Sequence, residues 1–459
     1  MAKIVDASPK ASSEIEMLSS IGYSLNSAIS DIIDNSIHAL HLNEQKNPSI
    51  HINIPPGTET PQISILDNGI GMDEQELHRS MIIGCKNPND IRGEMDLGRF
   101  GSGLKTASFS QASVLTVVTK KSGKLSGARF NKDRIKQTDR WDLELLEKKD
   151  LKKINTEELL KNESGTLVIW DNLEKYKFKD NSHQDTETLI ALDILSLKKH
   201  LSHFFHKFMG RKGISFYVNG ECLIPFDPFL TRNKGYQEGI EEKVRVSAKD
   251  HVSIKYHIIP HISKMTKEEE HQLGGKEELT SKQGLYIYRA NRLIIEGNWM
   301  GIAPKTEMNG LVRIEMHVPT TLDKEWDIDV KKTELRLPNS IRSRMKRLSL
   351  EPRKRSKRSI TYRGNQEKVN EYWDINDDKR QSIITYGISS ENKEIKELVN
   401  QLNKKSLSLL NVYLKELAIK LPLNHIANSV NVNPKDIQPE LIDFAKLEEE
   451  LKKIWKSTK

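Results

Sequence analysis

In AISDIIDNSIHAL, residues 28–40, the apolar residues Ala28, Ile29, Ile32, Ile33, Ile37 and Leu40 recur at helical spacing. At about 100° per residue they form one stripe that needs a core beneath it, so the stretch is an amphipathic helix of a packed domain. The opposite side carries Asp31 and Asn35, about 40° apart, while Asp34 lies about 100° round from Asn35. Two readings of that polar face stand. It is an ordinary solvated surface, or it is a site in which a carboxylate and an amide one turn apart handle a ligand; Asp34 is given a solvated or structural role.

A chain of 459 residues suggests about two or three domains, each able to bury its own core. It has no run of about 18 apolar residues, and MAKIVDASPK lacks the apolar stretch of a secretory signal, so a cytoplasmic protein without membrane partners is expected. Cys85 and Cys222 form neither a disulfide framework nor a metal set, and no HExxH or CxxC spacing points to zinc. The net charge of +8 is unevenly spread: in RSRMKRLSLEPRKRSKR, residues 342–358, nine of seventeen residues are Lys or Arg. Such a stripe can neutralise the phosphates of double-stranded DNA without reading sequence. A solvated helix end followed by a linker is the plainer alternative. EKKDLKKINTEELLKNESG is mixed in sign and reads as solvated helix and loop.

Residues 12–45 read as one helix, SIHINIPP and QISILDNG as strands, and DEQELHRSMIIG as a helix capped by Asp73. CKNPNDIRGEMDLGRFGSG is a long loop, followed by a helix in LKTASFSQA and strands in SVLTVVTK, SGARFNK and GTLVIWDNL. A helix over 185–210 precedes ISFYVNGECLIPF, a hairpin around Asn219 and Gly220. From about 236 a second β-rich unit starts with KVRVSAKDHVSIKYHIIPHI, GLYIYRANRLII and LVRIEMHVP. Beyond about 350 the chain is basic and then helical, through NKEIKELVNQLNKKSLSLLNVYLKELAIKL and the last twenty residues.

Four pieces carry chemistry. On the opening helix, Asn35 can offer its carbonyl oxygen to Mg²⁺, a hard cation, and Asp31 can orient or deprotonate a water. In LDNGIGM, Asp67 at a strand end can accept from an exocyclic amine, while Gly69 and Gly71 let the backbone approach a flat ring. In GRFGSGLKTAS, Gly98, Gly101 and Gly103 precede a helix starting near Leu104, and Lys105 adds a mobile charge beside an anion. In SGTLVIWDNL, Thr166 can place its hydroxyl beside Asp67.

Together, AISDIIDNSIHAL, DNGIGM, GRFGSGLKTAS and GTLVIWDNL resemble the ATP-binding motifs of the GHKL class, which includes gyrase B, MutL, heat-shock chaperones and histidine kinases. They look closest to MORC-like ATPases and their prokaryotic relatives, over about residues 15–175. VNGECLIPFDPFL, GLYIYRANRLIIEGNWMGI and WDIDVKKTELRLP are similar to what prokaryotic MORC-like proteins carry next.

The resemblance implies an α+β protein: a Bergerat-type α/β sandwich ATPase domain over 1–235, an S5-like transducer over 236–350, and a basic linker with a helical C-terminal region over 351–459. It implies ATP and Mg²⁺ as ligands. Asn35 would hold the metal, Asp67 would read the adenine amino group, and Thr166 would support that contact directly or through water. Gly71 would line the base, and Gly69 and Met72 would belong to the nucleotide-binding set. Gly101, Gly103 and Lys105 would hold the phosphates under a lid of about 84–100, with Gly98, Ser102 and Leu104 also in the nucleotide-binding set. Residues 1–25 would be a strap exchanged in an ATP-dependent homodimer. Lys332, with Lys331 as fallback, would reach the γ-phosphate from the transducer. The class usually has Glu where Asp31 stands, and a side chain about 1.5 Å shorter implies slow hydrolysis, since a misplacement of roughly 1 Å can cost about a hundredfold in rate. The resemblance also implies a DNA-associated clamp in a restriction-modification or anti-phage defence system, with the basic stripe on duplex DNA and a separately encoded effector. A chaperone-like scaffold that remodels a protein partner is the rival.

Overall fold

A computed structural model describes residues 9–43, 46–55, 62–84, 103–174, 183–246, 250–322, 326, 337–361, 373–378, 383–389 and 393–420. The chain divides into two compact units, Met1–Pro352 and Arg353–Lys459.

The first unit begins with α1 (Ala11–Ser20), α2 (Leu25–His41), β1 (Ser49–Asn53), β2 (Ile63–Asp67), α3 (Glu74–Met81) and α4 (Gly103–Phe109). It continues with β3 (Ala112–Lys121), β4 (Lys124–Asn131), α5 (Lys132–Thr138), β5 (Glu144–Leu145), α6 (Lys148–Leu151), α7 (Glu157–Lys161), β6 (Gly165–Leu173), α8 (His183–Phe204), β7 (Ser215–Val218) and β8 (Glu221–Cys222). The single helix expected over 12–45 is therefore two. Ile21 leaves helical space at ψ 100°, Gly22 follows, and Ser24 restarts the helix by accepting from the Ser27 amide. A glycine and a capping serine so close together outweigh the apolar periodicity across them.

The strands form one sheet in the order β5-β4-β3-β6-β2-β1-β7-β8, antiparallel except where β1 meets β7. Alternation along the strands gives the sheet two apolar faces. Ile63, Ile65, Val168 and Trp170 share a core with Ile29, Ile33 and Ile37 of α2 and Leu197 and Leu201 of α8. Leu66, Leu167 and Ile169 face the other way and pack with Leu151 of α6 and Leu159 of α7. The mixed-charge segment is thus solvated on one side only. Asp73 caps α3 in a reciprocal capping box with Glu76. Asn219 and Gly220, both at positive φ, turn β7 into β8.

Further along lie β9 (Gln237–Arg245), β10 (His251–Ile258), α9 (Lys267–Gln272), α10 (Gly275–Ser281), β11 (Gly284–Arg289), β12 (Arg292–Asn298) and β13 (Val312–Val318). Their strands form a second sheet, β12-β11-β13-β10-β9, with β11 and β13 parallel. GLYIYRANRLII, apolar almost throughout, is a hairpin: Ala290 at φ 45° and Asn291 at φ 66° turn β11 back as β12. Ala290 packs against the core of the first sheet.

The basic segment is more helical than a linker, comprising α11 (Asn339–Leu348) and α12 (Leu350–Thr361). On α11, Ile341 and Met345 are buried while Arg344, Lys346 and Arg347 are not. Between the basic segment and the helices expected after it, the sequence reading has no element where the structure has a two-stranded hairpin, β14 (Trp373–Asp378) with β15 (Ile383–Ile388). The helical stretch after it comprises two helices, Lys393–Gln401 and Lys404–Ile419, the second capped by Asn403, which accepts from the Ser406 amide. The last twenty residues, the strap residues 1–8 and the lid residues 85–100 lie outside the described residues. Among the described residues no helix is long and apolar enough to cross a membrane.

Candidate active site

The polar face of α2 is not solvated. Between Leu25 and Leu40 the one exposed residue is Asn35; Ser30, Asp31, Asp34 and Ser36 are buried. Burying two carboxylates in one helix is costly unless cations or donors meet them. Tyr23, from the break before α2, donates to Asp31 Oδ2 at 2.9 Å. Arg292, the first residue of β12, makes an ion pair with Asp34 and brings Nη1 to 3.8 Å from Asp31 Oδ1. Asp34 is thus a buried ion-pair partner of the second sheet, which corrects the solvated alternative. Nearby, His200 of α8 shares a hydrogen bond with Ser30 Oγ and is pushed down to about 3, first by burial and then by the Arg292 charge.

Asp67 ends β2 directly opposite Thr166 of β6, and Thr166 is opposite Thr119 of β3. These three strands are adjacent, so the carboxylate and two hydroxyl side chains form a row across the sheet on the face that α2 covers. Ser36 Oγ donates to Asp67 Oδ2 at 2.8 Å and the Gly69 amide donates to Oδ1 at 2.9 Å. Burial still dominates and pushes the carboxyl from its ordinary 3.8 up to about 6. Each carboxylate oxygen can accept a second hydrogen bond, so the group remains an acceptor for a ligand amine. Thr119 Oγ1 lies 3.3 Å from Thr166 Oγ1 and takes a 2.8 Å bond from the Met72 amide.

The glycines beside Asp67 make close approaches within the protein. Gly71 has φ +64° and a Cβ there would sit 2.0 Å from the Lys120 carbonyl oxygen; one on Gly69 would meet Ala39 Cβ at 2.7 Å. They hold the DNG turn against β3 and α2. Gly103 opens α4 beside α2: a Cβ on it would be 3.6 Å from Asp31 Oδ2. Leu104 is partly buried against the core. Lys105 is not the mobile charge expected. It is buried, with Nζ donating to the carbonyls of Ser80 at 2.8 Å and Ile82 at 3.0 Å, at the end of α3. Gly98, Gly101, Ser102, Lys331 and Lys332 lie outside the described residues.

The structure therefore brings Asp31, Asn35, Asp67, Thr166 and Gly103 around α2. It adds four residues that no motif in the sequence singles out: Tyr23, Ser36, Thr119 and Arg292. Ser36 alone has a local signal, a hydroxyl next to Asn35. The donor set suits an adenine nucleotide with Mg²⁺: a buried acceptor flanked by hydroxyls for the base amine, and an exposed carboxamide oxygen for a hard cation. Among the described residues no group of three His, Cys, Asp or Glu could hold a metal by itself.

Residues 23–166 match the family described as histidine kinase-, DNA gyrase B- and HSP90-like ATPase. That match supports the GHKL class for the domain built on α2 and the first sheet, a class of ATP-binding domains. No curated protein matches the chain.

Proposed function

We propose that the chain is a Mg²⁺-dependent ATPase of the MORC-like kind. On this reading it dimerises on binding ATP and acts on double-stranded DNA within a restriction-modification or anti-phage defence system, with a separately encoded effector. What supports the nucleotide reading most is the row Asp67, Thr166 and Thr119 under a helix whose one exposed residue between Leu25 and Leu40 is Asn35.

Asp67 accepts from the adenine amino group and Thr166 flanks it. Asn35 holds Mg²⁺, which when bound neutralises phosphate charge. Asp31 takes a proton from the water that attacks the γ-phosphorus, the bond to the β–γ bridging oxygen breaks, and ADP and phosphate leave. Hydrolysis is slow because the Asp31 arm is short. Lys332 serves as the γ-phosphate sensor and residues 1–25 as the exchanged strap. The solvent-facing Arg344, Lys346 and Arg347 of α11 favour the DNA partner. A protein-remodelling scaffold is the second reading, favoured by Leu409, Val412, Tyr413 and Leu417, which are exposed on the helix Lys404–Ile419.

Measuring the mass of the full chain with Mg²⁺ and a nonhydrolysable ATP analogue tests this. Doubling that Asn35→Ala abolishes, with salt-sensitive retention of nonspecific duplex, is expected. An unchanged mass with analogue bound overturns the dimer switch, and duplex binding that ignores salt or is absent favours the scaffold.

A further inference from the structure

We infer that Arg292 is a positioning residue for hydrolysis, through which the second sheet sets the place of the water-activating carboxylate. The inference rests on the reading of Asp31 as the base. Asp31 and Asp34 are just under one helical turn apart and both lose their water on α2. One guanidinium meets both, and it comes from neither α2 nor the first sheet. Arg292 is aimed by the tight turn Ala290–Asn291, in which a residue with a Cβ at each position holds positive φ. Such a backbone persists where its surroundings over-determine it, and here Ala290 is packed into the first core. The guanidinium also lies over the Phe205 ring, 5.2 Å from its centroid, which closes its other side to water.

The division of labour follows from the two contacts. Asp34 anchors Arg292; Arg292 and the Tyr23 hydroxyl then bracket the two oxygens of Asp31. A shift of the β11–β12 hairpin moves the cation relative to α2 and so moves Asp31, without touching the residues that hold the base or the metal. Turnover and nucleotide affinity are therefore separable, with the hairpin governing the first.

The test uses the full chain with Arg292→Gln, Arg292→Lys and the double variant Arg292→Gln with Asp34→Asn, which removes the buried carboxylate that the single variant strands. Hydrolysis and equilibrium binding of a nonhydrolysable ATP analogue are measured for each, beside Asp31→Asn. Expected is a fall of about ten- to a hundredfold in kcat for Arg292→Gln and the double variant, analogue affinity within about twofold, and partial recovery in Arg292→Lys. If Asp31→Asn abolishes turnover while the double variant turns over normally, Arg292 is structural only and the inference falls alone. If Asp31→Asn itself turns over normally, the parent reading of Asp31 fails and takes the inference with it.

Discussion

Ser36 and Asp67 are joined by a 2.8 Å hydrogen bond between the helix that carries Asn35 and the strand end that faces it. The bond fixes the Asp67 carboxylate, the proposed acceptor for the adenine amine, relative to the helix that carries Asn35, the proposed metal ligand.

Asp67 makes stability depend on pH and, as the proposed acceptor for the adenine amine, nucleotide binding as well. Its folded value of about 6 is raised above the ordinary 3.8, so between those values the folded protein keeps a proton that the unfolded chain has released. The stability from this group is complete below about 4, falls as pH rises through about 6, and changes by about 3 kcal/mol in all. Denaturant melts of ligand-free protein should show Asp67→Asn gaining on the parent chain from about pH 4.5 to about pH 7.5. Binding runs the other way, because an amine donates to the ionised carboxylate. ATP-analogue affinity should weaken below about pH 6 and Ser36→Ala should move that midpoint upward; a midpoint insensitive to Ser36 would remove the hydroxyl from the site.

Gly71 and Gly220 separate backbone strain from crowding. Both have positive φ, but a Cβ at Gly220 meets nothing within 4 Å whereas at Gly71 it meets a carbonyl oxygen at 2.0 Å. Gly220→Ala should cost about 1 kcal/mol and Gly71→Ala roughly 3 kcal/mol or more, read from urea midpoints. Equal losses would mean that the Lys120 carbonyl yields easily.

Tyr23→Phe deletes the hydroxyl that meets Asp31 and leaves the ring in the core. Hydrolysis should slow several-fold at unchanged nucleotide affinity, as expected for a group that orients Asp31 in its proposed role as the water-activating carboxylate. A loss of affinity instead would assign Tyr23 to nucleotide binding.

Lys346 and Arg347 point away from the core on α11, so replacing both with Ala should leave stability within about 0.5 kcal/mol. On duplex DNA the pair should lower the slope of log K against log salt by up to about 2. An unchanged slope would place the duplex elsewhere.

Much of the fold is legible in local chemistry. The apolar stripe of α2, the Asp73 capping box and the Asn219–Gly220 turn each lie within a few residues of sequence, where periodicity and backbone preference decide. The row Asp67, Thr166, Thr119 is half legible: two of its members sit in motifs, but Thr119 joins only through strand register. Arg292 reaches Asp34 across 258 positions, and nothing local marks it among 72 Lys and Arg residues. β14 escapes a sequence reading because WDINDD, with three acids, has poor strand propensity; pairing with IITYGI overrides it. The buried acids of α2 look solvated in sequence for a related reason, since their partners come from the break before the helix and from another sheet.

Lys105 has a consequence for how this domain can vary. Its ammonium clasps the carbonyls of Ser80 and Ile82, so the chain is tied together just before residue 85 and just after residue 102. With both ends of the intervening stretch clasped, doubling its length costs only about 0.6 kcal/mol of closure entropy. On closure entropy alone, insertions between those two ends cost little, so if the stretch serves as the proposed lid its length can be set by that work.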